Sequence, residues 1–336
     1  MIKKPLLQTE NRVCRTYRGG RLLDSFVGNP NPTDSFLPED WISSFVEAKN
    51  KIYKKGEGIS RVIVDGREVP ITEAVSSDDF GPGRQESGVL VKYLNSAERL
   101  GIQVHPTPEF SRKYFGTDYG KTECCHILAT EDDAAVYVGF KEGISRKKWK
   151  KLFESQDIDA MLGALHRFTV KPGDTVLVRA GTPHAIGAGC FLLEIQEPTD
   201  YTMRVEKTTV AGESLTPMQI HYGVGEEAML DCFKYEGINE DTARKTYFIE
   251  PKYKNEFISS LVSYKDTPCF SLEKIRQGGI VTPESFVSLV VTEIGDILIG
   301  EAKISVKKGE KWFVPYGCGG ISVESGEVIV CYPPKI

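Results

Sequence analysis

Val170-Lys171-Pro172-Gly173-Asp174-Thr175-Val176-Leu177-Val178-Arg179-Ala180-Gly181 aligns without a gap on Val306-Lys307-Lys308-Gly309-Glu310-Lys311-Trp312-Phe313-Val314-Pro315-Tyr316-Gly317. Valine, lysine, glycine, an acid, valine and glycine recur in register. Repeated segments mean repeated folding units, here two. Around both copies run short apolar stretches separated by turns such as Asp65-Gly66 and Gly81-Pro82-Gly83, the pattern of short strands. A mainly β chain follows, built as barrels or sandwiches with helical inserts. Three stretches read as helical: Pro38 to about Lys49 with acids in its first turn, Ser145–His166 broken near Gln156, and Leu215–Phe233 opening at Thr216-Pro217. The copies differ at one informative place. Continuing the alignment three residues sets His184 opposite Gly320, so the turn forms without a histidine and His184 reads as functional.

Working outward from His184, Leu100–Glu123 supplies its partners. Gln103 and His105 are two apart in a strand-like segment and therefore face the same way. Glu123 opens a second apolar strand, Glu123-Cys124-Cys125-His126-Ile127-Leu128. Two imidazoles, a carboxylate and an amide oxygen form a mixed N/O set suited to a divalent transition metal, zinc first among them.

Bulk properties narrow the class. The chain has 336 residues, enough for more than one lobe, with 40% apolar and 26% charged residues, as in ordinary globular proteins. A net charge of -5 without a basic stripe argues against a nucleic-acid binder. No apolar run approaches the roughly 20 residues of a bilayer span. Met1–Arg12 lacks the apolar core of a secretion signal. The eight cysteines are scattered without C-x2-C pairs, which points to a reduced, cytoplasmic setting.

The motifs carry a resemblance. Gly173, Gly181-Thr182-Pro183-His184 follows the second sequence motif of cupins, with Arg179 where that pattern has proline; the C-terminal copy keeps Pro315 and loses the histidine. Leu100–Pro106, Tyr119–Glu123, Gly181–Ala185 and Glu194-Ile195-Gln196 with Asp200–Arg204 together resemble type I phosphomannose isomerases, over most of residues 15–330. The resemblance implies two jelly-roll lobes. Residues 1–235 would form a metal-bearing catalytic lobe with helical segments at about 145–167 and 212–235; residues 236–336 would form a degenerate lobe without ligands. It implies one zinc on Gln103, His105, Glu123 and His184, and a phosphorylated sugar as substrate. Lys121 and Arg204 match a lysine and an arginine of the family's site, and Glu194 and Asp200 match acidic positions lining it. The implied reaction interconverts mannose 6-phosphate and fructose 6-phosphate through an enediol, in a monomer or homodimer. Arg204 would stabilise the enediolate, Lys121 or Glu194 would move the proton, and Asp200, Lys121 and Arg204 would contact substrate.

Departures from the family motivate alternatives. Gly101 stands where a serine is usual, and Cys124-Cys125-His126 replaces an aromatic run. An isomerase of a related, unphosphorylated sugar is one alternative, and a metal-binding cupin that binds sugar without turnover is another. Plainer readings apply elsewhere. His126 falls on the opposite strand face from Glu123, His166 and His221 lie in helical segments outside the motifs, and Cys124-Cys125 are small hydrophobes. Arg204 has a structural reading as a partner of Asp200, and Lys147–Lys151 reads as a solvated helix face.

Overall fold

The computed structural model describes residues 2–336. Two jelly-roll lobes repeat one strand order. In the first, the large sheet runs Thr175–Val178, Glu123–Thr130, Cys190–Gln196, Leu90–Ser96, Glu39–Ile42, Arg12–Val13. In the second, Lys311–Val314, Val287–Glu293, Glu327–Tyr332 and Ser271–Arg276 follow one another in the same way. The smaller sheets correspond too: Leu165–Thr169, Ala135–Phe140, His184–Ile186, Gln103–Val104 against Ala302–Val306, Gly295–Ile299, Ile321–Val323, Ile280–Val281. Lys311–Val314 sits where the alignment places Thr175–Val178, so the repeated stretch marks equivalent strands.

Register carries the comparison to single residues. Val178 pairs with Glu123, while its counterpart Val314 pairs with Val287. His184 pairs with Gln103, while Gly320 lies beside Thr282. The second lobe therefore has valine and glycine where the first has a carboxylate and an imidazole.

Alternation along the large sheet sorts side chains between two cores. Tyr93, Cys124, Leu193 and Ile195 pack against Leu272, Phe313, Ile329 and Cys331 of the second lobe in a shared core. Leu94, Cys125, Ile127 and Leu192 face the first lobe's interior. Lys92, Glu123 and Glu194 share the parity of that second set, so period-two alternation aims three charged groups into one barrel. Leu6–Leu7 pairs with Lys311–Val314, extending the second lobe's sheet with residues from the start of the chain.

The helix expected from Pro38 to Lys49 is instead the strand Glu39–Ile42, buried at all four positions. The acids are not first-turn helix residues. Glu39 meets Arg15 (2.9 Å) and Lys92 (3.6 Å) on the barrel side, and Asp40 meets Lys311 (2.5 Å) on the other. Buried pairing on both faces requires a strand and outweighs a dipole preference worth under about 1 kcal/mol. The expected break near Gln156 is present: helices Arg146–Ser155 and Ile158–Gly163 flank a left-handed Gln156 at φ 52°. His166 then falls in the strand Leu165–Thr169, not in a helix, where its Nε2 lies 2.9 Å from Ile238 O. Leu215–Phe233 holds two helices, Pro217–His221 with a Thr216/Gln219 capping box and Glu226–Asp231, parted by left-handed Tyr222.

A candidate metal centre in an acid-and-base-lined cavity

Gln103, His105, Glu123 and His184 converge inside the first lobe. Glu123 presents Oε1 3.1 Å from His184 Nε2 and Oε2 2.9 Å from His105 Nε2. The Gln103 amide nitrogen lies 3.1 Å from His184 Nε2. The two imidazole rings are tilted with centroids 4.8 Å apart. Three elements bring these groups together: the Gln103–Val104 strand, the first residue of the Glu123 strand, and the turn that delivers His184. That turn is anchored at both ends, with Gly181 N–H donating to His105 O (2.8 Å) and Gly139 N–H to Pro183 O (2.9 Å). Gly139 has φ 74°, and a Cβ there would strike the Tyr247 ring at 2.4 Å, so glycine is required.

Both rings have a defined tautomer. His105 Nδ1 lies 3.1 Å from Tyr201 O, and His184 Nδ1 lies 2.9 Å from Thr182 O. A carbonyl only accepts, so each Nδ1 carries a proton and each Nε2 is turned to the centre. Burial first, then the Lys121 ammonium, pushes the His105 imidazolium pKa down to about 3, which keeps that ring neutral. Glu123 Oε2 is buried and no donor meets it at hydrogen-bonding geometry. Two imidazole nitrogens and a carboxylate converging on one point, with the Gln103 amide and the Lys121 ammonium beside them, are a donor set that fits a divalent transition metal.

Beside this centre is a cavity of about 430 Å³. Lys121 forms its edge, with Nζ 3.1 Å from His105 Nε2 and 3.4 Å from Glu123 Oε2. Glu194 enters from the neighbouring strand and pairs with Lys92 at 3.0 Å. Burial first, then the Glu123 carboxylate, raises the Glu194 pKa to about 7, against the pull of the Lys92 and Lys121 ammoniums. Arg204 lines the cavity and donates to Gln219 O (2.7 Å) and Thr202 O (3.4 Å). It does not pair with Asp200. Asp200 instead receives both ends of the Arg15 guanidinium at 3.2 Å and the Lys49 N–H at 2.7 Å.

Arg15, Glu39 and Lys92 also line the cavity and were not anticipated. Arg15 Nε donates to Glu39 Oε2 (2.9 Å), and Tyr17 Oη donates to Glu39 Oε1 (2.6 Å). Lys92 did carry a signal, because a lysine inside Val89-Leu90-Val91-Lys92-Tyr93-Leu94 is rarely buried unless paired. Arg15 carried none. His126 Nδ1 contacts Thr175 Oγ1 (2.8 Å) and His221 Nδ1 accepts from Gly225 N–H (3.2 Å), both away from the centre.

No protein-family model matches the chain. It is 28% identical over 252 residues to the mannose-6-phosphate isomerase ManA of Bacillus subtilis, covering 73% of this chain and 74% of the relative. It is 33% identical over 210 residues, 61% of each chain, to a mannose-6-phosphate isomerase of Streptococcus mutans. The fold superposes on the crystal structure of the mannose 6-phosphate isomerase from Bacillus subtilis with TM-score 0.73 and 22% identity, over 98% of this chain and 99% of that one. A zinc-bound mannose 6-phosphate isomerase structure superposes with TM-score 0.74 at 16% identity, over 98% and 100%.

Proposed function

We infer that this chain is a member of the type I phosphomannose isomerase family and interconverts mannose 6-phosphate and fructose 6-phosphate with one bound zinc ion. The observation that carries the reading is the arrangement of two imidazoles, a carboxylate and an amide converging beside a cavity lined by Lys121, Glu194 and Arg204. Gln103, His105, Glu123 and His184 would hold the metal, which supplies Lewis acidity toward the sugar's O1 and O2.

The remaining chemistry belongs to the side chains. In the aldose-to-ketose direction, a carboxylate takes the C2 proton and returns it to C1, while a hydroxyl proton passes from O2 to O1. Glu194 suits the first task, because a carboxyl whose pKa lies near 7 gives and takes a proton with little penalty. Lys121 suits the second, with its ammonium at the centre's edge and three donors to offer. Arg204, free of any carboxylate partner, keeps its charge for the enediolate that develops between the two transfers. Asp200 acts through Arg15 and the backbone of Lys49, holding the cavity wall.

We propose further that the enzyme works in the cytoplasm as a monomer or homodimer. All eight cysteines are unpaired, which accords with a reducing compartment. Among the described residues, no helix is long and apolar enough to cross a membrane. A coupled assay for fructose 6-phosphate formed from mannose 6-phosphate tests the reaction. Turnover should disappear on chelation and return with zinc. A protein that holds zinc yet turns over free mannose in preference would move the reading to an unphosphorylated sugar.

A further inference from the structure

We propose that Lys49 and Lys51, on the segment that crosses the cavity mouth, form an oxyanion grip that selects a phosphorylated over a free sugar. The proposal rests on the isomerase reading above and deepens it.

The cavity is lined by six cationic side chains and four carboxylates. Three of the cations are already committed. Arg15 is neutralised by Glu39 and Asp200, Lys92 by Glu194 and Glu39, and Lys121 lies against Glu123. Of the remainder, Arg204 is held by two backbone carbonyls at the inner wall. Lys49 and Lys51 have no carboxylate partner among the described residues, and both are solvent-exposed, at the outer end of the cavity. A deep end with metal donors and a proton-transferring carboxyl, and a mouth with two unpaired ammoniums, match a sugar reacting at C1 and C2 with an anion at its far end.

The segment is held in place. Lys49 N–H donates to Asp200 Oδ2 (2.7 Å), Asn50 Oδ1 accepts from Arg15 Nη1 (3.2 Å), and Ala48 N–H donates to Glu57 O (2.9 Å). The Lys49 ammonium lies 4.5 Å over the Tyr201 ring, a contact that steadies it without cancelling its charge. Backbone anchoring fixes where the Lys49 stem emerges, and Lys51 lines the same cavity two residues on. A phosphate meeting two such donors forms charge-assisted hydrogen bonds, and a 6-hydroxyl does not.

The test compares the zinc-loaded wild type with a Lys49→Gln/Lys51→Gln double variant and with Lys54→Gln, an exposed lysine of the same segment that does not line the cavity. Steady-state kcat/KM is measured for mannose 6-phosphate and for mannose, with inorganic phosphate as a competitive probe. The double variant should lower the ratio of the two kcat/KM values by about tenfold or more, with KM carrying the loss, and weaken phosphate inhibition similarly. Lys54→Gln should keep the wild-type ratio. An unchanged ratio in the double variant, or equal losses on both sugars, overturns the grip while leaving the isomerase reading standing. A wild type without preference for the phosphorylated sugar overturns both.

Discussion

Lys92 and Glu194 stand directly opposite each other on adjacent antiparallel strands, and their side chains meet at 3.0 Å inside the barrel. The pair couples a structural ion to the group proposed to move the proton. Lys92→Gln removes the ammonium that holds the Glu194 pKa down, so that pKa should rise above about 7. A base with a raised pKa shifts the acid limb of the kcat/KM profile to higher pH. The variant should also lose about 3–5 kcal/mol of stability, because Glu194 and Glu39 are left buried with less compensation. A pH profile and a urea melt check both; an unmoved acid limb would remove Glu194 from the proton path.

Arg204→Ala separates binding from chemistry. Arg204 is the strand partner of Gln103, but its guanidinium donates to Thr202 O and Gln219 O and not to any of the four candidate ligands, so zinc content should stay at the wild-type level. Turnover should fall by roughly 10²-fold or more, the size of effect seen when one fixed donor to a developing oxyanion is removed. Metal analysis beside single-turnover kinetics decides it, and retained kcat would end the assignment.

The two lobes differ in metal capacity. With Val287 and Gly320 in the places of Glu123 and His184, the second lobe lacks the donors. Metal analysis should give one zinc per chain. His184→Ala or Glu123→Gln should abolish it and lower the Tm measured in zinc-containing buffer toward that of the apoprotein, since a ligand bound only by the folded state stabilises it. Two ions per chain would contradict the asymmetry.

Acid stability should track the Arg15 cluster. Burial is the largest influence and would raise the Glu39 and Asp200 carboxyls, but the Arg15 guanidinium, with Lys92 and the Trp41 and Tyr17 donors at Glu39 and with Lys121 and the Lys49 N–H at Asp200, holds both below their ordinary values of 4.5 and 3.8. Groups depressed in the folded state contribute stability that is complete above those ordinary values and is lost as pH falls below them. Tm should therefore drop steeply below about pH 4.5. Arg15→Gln should lower stability at neutral pH and flatten that acid slope, which thermal melts from pH 3 to 7 would record.

The convergence of the four candidate ligands was legible because each lies in a short motif whose local geometry fixes its direction. Two residues on one strand face, one at a strand start and one after a Gly-Thr-Pro turn need little tertiary context. The repeat likewise disclosed the second lobe. The Arg15–Asp200 contact was hidden, since 185 residues separate the partners and neither sits in a pattern that marks pairing. The same blindness produced the misread helix at Pro38: Glu39 and Asp40 look like a first-turn signal until Arg15, Lys92 and Lys311 arrive from three distant segments. Local signals describe the chain's own preferences, and buried ions obey their partners.

The pairing of Leu6–Leu7 with Lys311–Val314 has a consequence for biogenesis. Leu6 and Leu7 precede the whole first lobe in sequence, yet their strand partners Phe313 and Trp312 belong to the second. Until the second lobe's sheet forms, that apolar dipeptide has no strand to join, and without the dipeptide the sheet has an uncapped border open to other chains. Folding of the two lobes is thus tied together by one two-residue strand. Loss of Leu6 and Leu7, far in sequence from the candidate zinc ligands, would leave that border permanently adhesive.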